Sequence, residues 1–187
     1  MNVNQYNKPS SGEEEALSAL QTNAKAVMVI AQAVEGTLGP KGLDTMLVDQ
    51  FGQVVITNDG VTILELMDVN HPAAKMLINI AKAQQEEIGD GTTTATILAG
   101  ALVNEGVRQV RKGVPVVKVI EGISLGIKKA IVALEDKAVK ITELNELILR
   151  KTAQVAARGN EDIAELVVRA AILLGKDKFF EPSFKLA

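Results

Sequence analysis

Long runs of helix-forming residues, cut by compact glycine loops, constrain the fold of this 187-residue chain more than any other feature. Ala16 to Glu35 is rich in Ala, Val, Met and Ile and contains neither Gly nor Pro. Glu13, Glu14 and Glu15 put carboxylates in a first turn, where the positive end of the helix dipole favours them. Gly36 predicts the end of this helix. Thr37-Leu38-Gly39-Pro40-Lys41-Gly42 then specifies a loop, because Gly, Pro and Gly so close together forbid a helix. Met46–Val48 and Val54–Thr57 read as short strands, and Asp49-Gln50-Phe51-Gly52 between them predicts a β-hairpin. Asn58-Asp59-Gly60 ends the hairpin.

Helical patterns fill the rest. Val61–Leu66 is a short one. Pro72 opens another, with Met76, Leu77, Ile80, Gln84 and Ile88 at helical spacing. The lone His71 precedes Pro72 and reads as the residue that opens this helix. Gly89-Asp90-Gly91 interrupts the pattern, and a long helix follows from Thr92 to about Lys112. Its stripe is Ile97, Leu98, Ala101 and Leu102, as Val27, Met28 and Ile30 are for the first helix. Pro115–Lys137 is a further helix in which Gly122 and Gly126, four apart, are expected to admit a close neighbour. Thr142–Ala157 reads as an amphipathic helix with Thr142 as N-cap. Arg158-Gly159-Asn160 breaks the chain before a last helix, Glu161–Leu174, and Lys178–Pro182 reads as extended. The expected fold class is mostly α with a small β-hairpin, preceded by a flexible tail over residues 1–15.

Composition narrows function by exclusion. Aromatics make up 3% of the chain, with no Trp, so the core must rest on Ala, Val, Ile and Leu. Few rings are available to stack on bases. The formal net charge is −3, the wrong sign for a general nucleic-acid or anionic-membrane binder. There is no Cys, so a disulfide framework, a thiolate zinc site and a Cys nucleophile are all excluded. No apolar stretch is long enough to span a bilayer and no secretory signal pattern opens the chain, so the expected location is cytoplasmic.

Gly89-Asp90-Gly91-Thr92-Thr93-Thr94, leading straight into a helix, carries the strongest chemical signal. Glycines let a backbone approach an anion closely, and a helix N-terminus offers unpaired N–H groups. The three hydroxyls add donors. Asp90 repels bare phosphate, but a Mg²⁺ ion held between one carboxylate and substrate phosphates resolves the conflict. The same residues also read as a well-capped helix after a tight turn. The pattern is neither a Walker A loop nor a dinucleotide fingerprint. Leu38-Gly39-Pro40-Lys41-Gly42 reads as a rigid turn or as a backbone clamp for a ligand. Asp59 reads as the cap of the next helix or as a catalytic carboxylate.

Taken in order, Thr37–Gly42, Thr57–Gly60 and Gly89–Ala95 closely resemble the N-terminal part of the chaperonins. Leu43-Asp44-Thr45-Met46-Leu47-Val48-Asp49 and Asn58-Asp59-Gly60-Val61-Thr62-Ile63-Leu64 are similar to the thermosome-type (group II) branch and its bacterial relatives. The resemblance runs from about Leu17 to Leu174. It implies a partial equatorial ATP-binding domain, a helical bundle over residues 16–141, and a partial intermediate domain over 142–187. It also implies ATP or ADP and Mg²⁺ as ligands, and ATP hydrolysis that drives the folding of client proteins in a double-ring chamber. By motif match, Leu38, Gly39 and Pro40 would cover the nucleotide, and Asp90 would bind Mg²⁺. Gly91, Thr92, Thr93 and Thr94 would hold phosphate oxygens, and Asp59 would position the attacking water. Thr152–Asn160 resembles a nucleotide-sensing stretch, with Arg158 before Gly159 where the branch usually has Lys.

The resemblance names partners as well. Other subunits would complete a ring homo-oligomer, and unfolded clients would bind an apical domain. Neither nucleic acid nor membrane is implied. Family members are considerably longer, and this chain ends near the expected start of the apical domain. The apical domain, the C-terminal equatorial half and the returning intermediate segment with a second catalytic Asp are therefore expected to be absent. The rival expectation is a truncated assembly or nucleotide-binding module without ATP turnover.

Overall fold

A computed structural model describes residues 11–39, 41–48, 51–144 and 147–181. Helix α1 spans Ser11–Glu35, and strands β1 (Thr45–Val48) and β2 (Val54–Thr57) follow. Helices α2 (Gly60–Leu66), α3 (Pro72–Glu87), α4 (Thr92–Arg111) and α5 (Val116–Lys137) come next, then α6 (Leu147–Ala156), α7 (Glu161–Leu174) and α8 (Lys176–Phe179). The fold is mostly helical with one antiparallel hairpin, as the sequence predicts. Its register pairs Thr45 with Thr57 and Val48 with Val54. Two residues of the predicted turn, Asp49 and Gln50, lie outside the described residues, as do Pro40 and Pro182.

The chain divides into two compact units, Met1–Lys128 and Lys129–Ala187, with the division inside α5. In the first unit, α1 packs on α3 and α4 around Val27, Ile30, Ala31, Val34, Ile63, Leu64, Leu77 and Ala81. The aromatic-poor composition shows here: the core is aliphatic throughout. The α1–α4 contact is close. A Cβ built on Gly100 would lie 2.6 Å from the Ala31 Cβ, so this crossing tolerates only small residues.

The buried faces correct two predicted stripes. Along α4 the buried residues are Thr92, Thr96, Gly100 and Val107, while Leu98 is exposed. Along α3 they are Ala74, Leu77, Ile78 and Ala81, while Met76, Ile80 and Ile88 are exposed. The inward faces mix sizes: Ala74 and Ala81 stand with Leu77 and Ile78 on α3, and Gly100 with Thr92, Thr96 and Val107 on α4. The stripe of α1 keeps Val27 and Ile30 buried.

Other boundaries move too. α1 already includes residues 11–15, which the sequence assigned to the tail. His71 is the N-cap of α3 but makes no side-chain cap bond. Open space surrounds Gly122 and Gly126, and α5 has no buried residue, so the predicted close neighbour is not found among the described residues. In the second unit, the predicted helix start at Thr142 is followed by Asn145 and Glu146, which lie outside the described residues. Residues 141–144 are non-helical and α6 begins at Leu147. Leu144 is buried at this turn. Asn160 caps α7 by accepting from the Ile163 N–H at 3.2 Å. The predicted extended end instead begins with a short helix, α8, whose last turn is closed by Phe179 N–H on Gly175 O at 3.0 Å. No helix among the described residues is long and apolar enough to cross a membrane.

Candidate functional site

Two helix starts meet in the first unit, and each carries an aspartate just outside it. Asp59 is the N-cap of α2, in extended backbone (φ −73°, ψ 118°). Its Oδ2 accepts from the Thr62 N–H at 2.9 Å and from the Thr62 hydroxyl at 2.6 Å. Thr57 Oγ1 accepts from the Asp59 N–H at 3.1 Å, so the end of β2 fixes the approach to the cap. Both acceptor bonds fall on one carboxylate oxygen. The capping reading of Asp59 is therefore realised, and Oδ1 is left for other work.

Asp90 stands one residue further out, before the N-cap of α4. Gly91 is the N-cap of α4 at φ 78°, ψ 14°, a left-handed conformation that glycine adopts without a Cβ clash. Gly91 N–H donates to Asp90 Oδ1 at 2.7 Å. Beyond the cap, Thr92 is 5% exposed and Thr96 is fully buried, with the Thr96 hydroxyl donating to Thr92 O at 2.8 Å. Thr93 is half-buried and Thr94 is exposed. The predicted row of three hydroxyls is thus graded from inside to outside.

Gly60 joins the two helix starts. A Cβ there would lie 2.5 Å from Thr93 Oγ1, 3.1 Å from Thr93 N and 3.2 Å from Thr92 Oγ1. Only a residue without a side chain lets the α2 N-terminus sit against the first turn of α4. The fold so brings Asp59, Gly60, Thr92 and Thr93 together from segments over thirty residues apart. The site combines a close backbone approach, hydroxyls and the unpaired N–H groups of a helix start, the chemistry that receives phosphate oxygens.

The donor set also fits a magnesium ion. No group of three or more His, Cys, Asp or Glu side chains gathers among the described residues. A metal here would need ligands from outside the protein. Asp90 is exposed, its Oδ1 is engaged, and Oδ2 accepts no hydrogen bond among the described residues. One available carboxylate oxygen suits Mg²⁺, which keeps waters and takes phosphate oxygens as its other ligands.

The remaining predicted residues stand elsewhere. Leu38 and Gly39 form the turn that leaves α1, with Leu38 48% exposed and Gly39 at φ 82°. Gly42 N–H closes that turn on Gly39 O at 2.9 Å. Arg158 and Gly159 belong to the second unit, both left-handed, at φ 53° and 79°. A hollow of about 210 Å³ opens there, lined by Arg150, Gln154, Glu161, Ala164, Glu165 and Val168. None of the predicted site residues lines it. Sequence reasoning missed Gln84, whose Nε2 donates to Asp90 O at 2.8 Å. It was counted in the helical stripe of α3, and only its amide among apolar neighbours marked it out.

Comparison with known proteins bears on the same segments. A model of the TCP-1/cpn60 chaperonin family matches residues 30–185. The thermosome subunit of Methanopyrus kandleri is 44% identical over 158 residues, covering 81% of this chain and 29% of that protein. Thermosome subunit alpha of Archaeoglobus fulgidus is 46% identical over 158 residues, with the same shares covered. A crystal structure of a group III chaperonin in the open state superposes with a TM-score of 0.80 at 51% identity, over 90% of this chain and 34% of that one. The chain therefore spans about a third or less of the length of these relatives. With more than four-fifths of its own length matched by each of them, the chain belongs to the TCP-1/cpn60 chaperonin family.

Proposed function

We propose that this chain supplies a Mg·ATP site of a thermosome-like chaperonin, and that ATP hydrolysis there serves the folding of client proteins in a double ring of subunits. The observation that carries the reading is the seat of Gly60 on Thr93, which puts Asp59 beside the first turn of α4. Gly91, Thr92, Thr93 and Thr94 hold phosphate oxygens through N–H groups and hydroxyls. Leu38, Gly39 and Pro40 cover the nucleotide. Asp90 binds Mg²⁺ through Oδ2, and the ion's part is to offset phosphate charge. Asp59 orients the attacking water through Oδ1 while Oδ2 keeps its cap. This is catalysis by placement and electrostatics, as phosphoryl transfer requires. The family resemblance gives Arg158 and Gly159 the part of a nucleotide sensor, since a guanidinium can pair with phosphate in two places at once. Residues 16–141 serve as equatorial domain, residues 142–187 as intermediate domain, and the setting is cytoplasmic.

Calorimetric titration of the chain with ADP, with and without Mg²⁺, tests the binding step. Mg²⁺ should tighten binding in the native chain and fail to do so in Asp90→Asn. Equal affinities in all four titrations would overturn the assignment of Asp90. A second reading, an assembly module without turnover, is favoured by α5, which has no buried residue. Binding of nucleotide with no hydrolysis in the assembled protein would support it.

A further inference from the structure

We infer that Gln84 is the positioning residue for Asp90, and that its side-chain amide sets how strongly Mg²⁺ promotes nucleotide binding. The inference rests on the reading of Asp90 as the Mg²⁺ residue. Gln84 stands near the end of α3, half-buried, ahead of the Gly89–Gly91 loop. Its main-chain carbonyl accepts from Ile88 N–H at 3.0 Å and from Gly89 N–H at 3.2 Å. Its Nε2 donates to Asp90 O at 2.8 Å. The same nitrogen is 3.4 Å from where a Cβ on Gly91 would be. One residue therefore catches the loop twice, as the chain leaves α3 and as it enters α4.

The consequence falls on the carboxylate. Asp90 has its carbonyl held by Gln84 and its Oδ1 held by Gly91 N–H, leaving Oδ2 as the available oxygen. The loop around it is otherwise easily rearranged. Gly89 and Gly91 are both left-handed, at φ 82° and 78°, and glycine has many alternatives to any one conformation. A helix-borne amide that pins the residue between them selects one. The direction of Oδ2 is then set by α3 and not by the loop alone. The Gln84–Asp90 bond is exposed, so its loss costs the fold little, whereas a metal ligand displaced by an ångström is lost.

The test uses the full chain and two variants. Gln84→Met keeps length and helix propensity but removes the donor. Gln84→Glu puts an acceptor where the donor was. ADP is titrated with and without Mg²⁺, melting is followed, and Gly91 amide exchange is read by NMR. Metal-free ADP affinity and the melting midpoint should stay near those of the native chain. The Mg²⁺ enhancement should fall by about three- to tenfold, more in Gln84→Glu, and Gly91 exchange should quicken. Variants that keep the full enhancement overturn the role of Gln84 and leave Asp90 as assigned. Variants that lose metal-free affinity and melting temperature together show a purely structural residue, and also overturn it. A native chain whose ADP affinity ignores Mg²⁺, like Asp90→Asn, overturns the reading of Asp90, and Gln84 falls with it.

Discussion

At Asp59, the observed cap and the proposed catalytic role ask different things of one side chain. The cap needs an oxygen acceptor toward Thr62, and orienting a water needs negative charge. Asp59→Asn keeps the acceptor and removes the charge, so it should leave stability within about 0.5 kcal/mol. In the assembled chaperonin the same variant should slow hydrolysis by about 10²-fold with nucleotide still bound. Asp59→Ala should do both kinds of damage, with a further loss of about 1 kcal/mol in denaturant unfolding. Normal hydrolysis by Asp59→Asn would reduce Asp59 to a cap. Gly60 is constrained from the other side. Gly60→Ala would press on Thr93 N at 3.1 Å as well as on the Thr93 hydroxyl, and should cost about 1–3 kcal/mol. Adding Thr93→Ala relieves the hydroxyl contact only. A double-mutant cycle should therefore show favourable coupling of about 0.5–2 kcal/mol, and strict additivity would contradict the close approach. Asp59 and Asp90 stand out in the sequence because capping and turn chemistry are local. Gln84 does not, because its partner is a carbonyl six residues on, reached only once the loop has folded back.

Helices and strands were legible to within a few residues wherever glycine, proline or a cap residue marks an end. α2, α4 and α7 each begin next to such a residue: Asp59, Gly91 and Asn160. Which face of a helix is buried was less legible. The inward faces of α3 and α4 include Ala74, Ala81, Thr92, Thr96 and Gly100, which a search for large apolar side chains passes over. Gly122 and Gly126 offer a direct test at this scale. Nothing among the described residues approaches their faces, so replacing both with Ala should raise stability through helix propensity, by about 1 kcal/mol per site. A loss on thermal unfolding would mean that a neighbour packs there after all.

Across the whole molecule, apolar surface outruns what the chain can cover. Ile120, Ile127, Ile131 and Leu134 recur at helical spacing along α5, and all are 44% exposed or more. The outer face of the hairpin adds Met46, Val48, Val54 and Ile56, each at least 56% exposed. Surfaces of this kind drive association. The purified chain should therefore scatter light as a species heavier than 19.9 kDa, and Ile120→Lys with Ile131→Lys should lower that mass. A native chain that stays monomeric at high concentration would contradict this. The bond from Gly91 N–H to Asp90 Oδ1 has its own consequence for the proposed site. An anion arriving alone meets a carboxylate lying across the helix start. A cation arriving alone finds one carboxylate and too few ligands. Each therefore binds poorly without the other, and linkage requires that each raise the other's affinity by the same factor. On the proposed reading the loop would act as a coincidence detector, reporting the metal–nucleotide complex and discounting either component by itself.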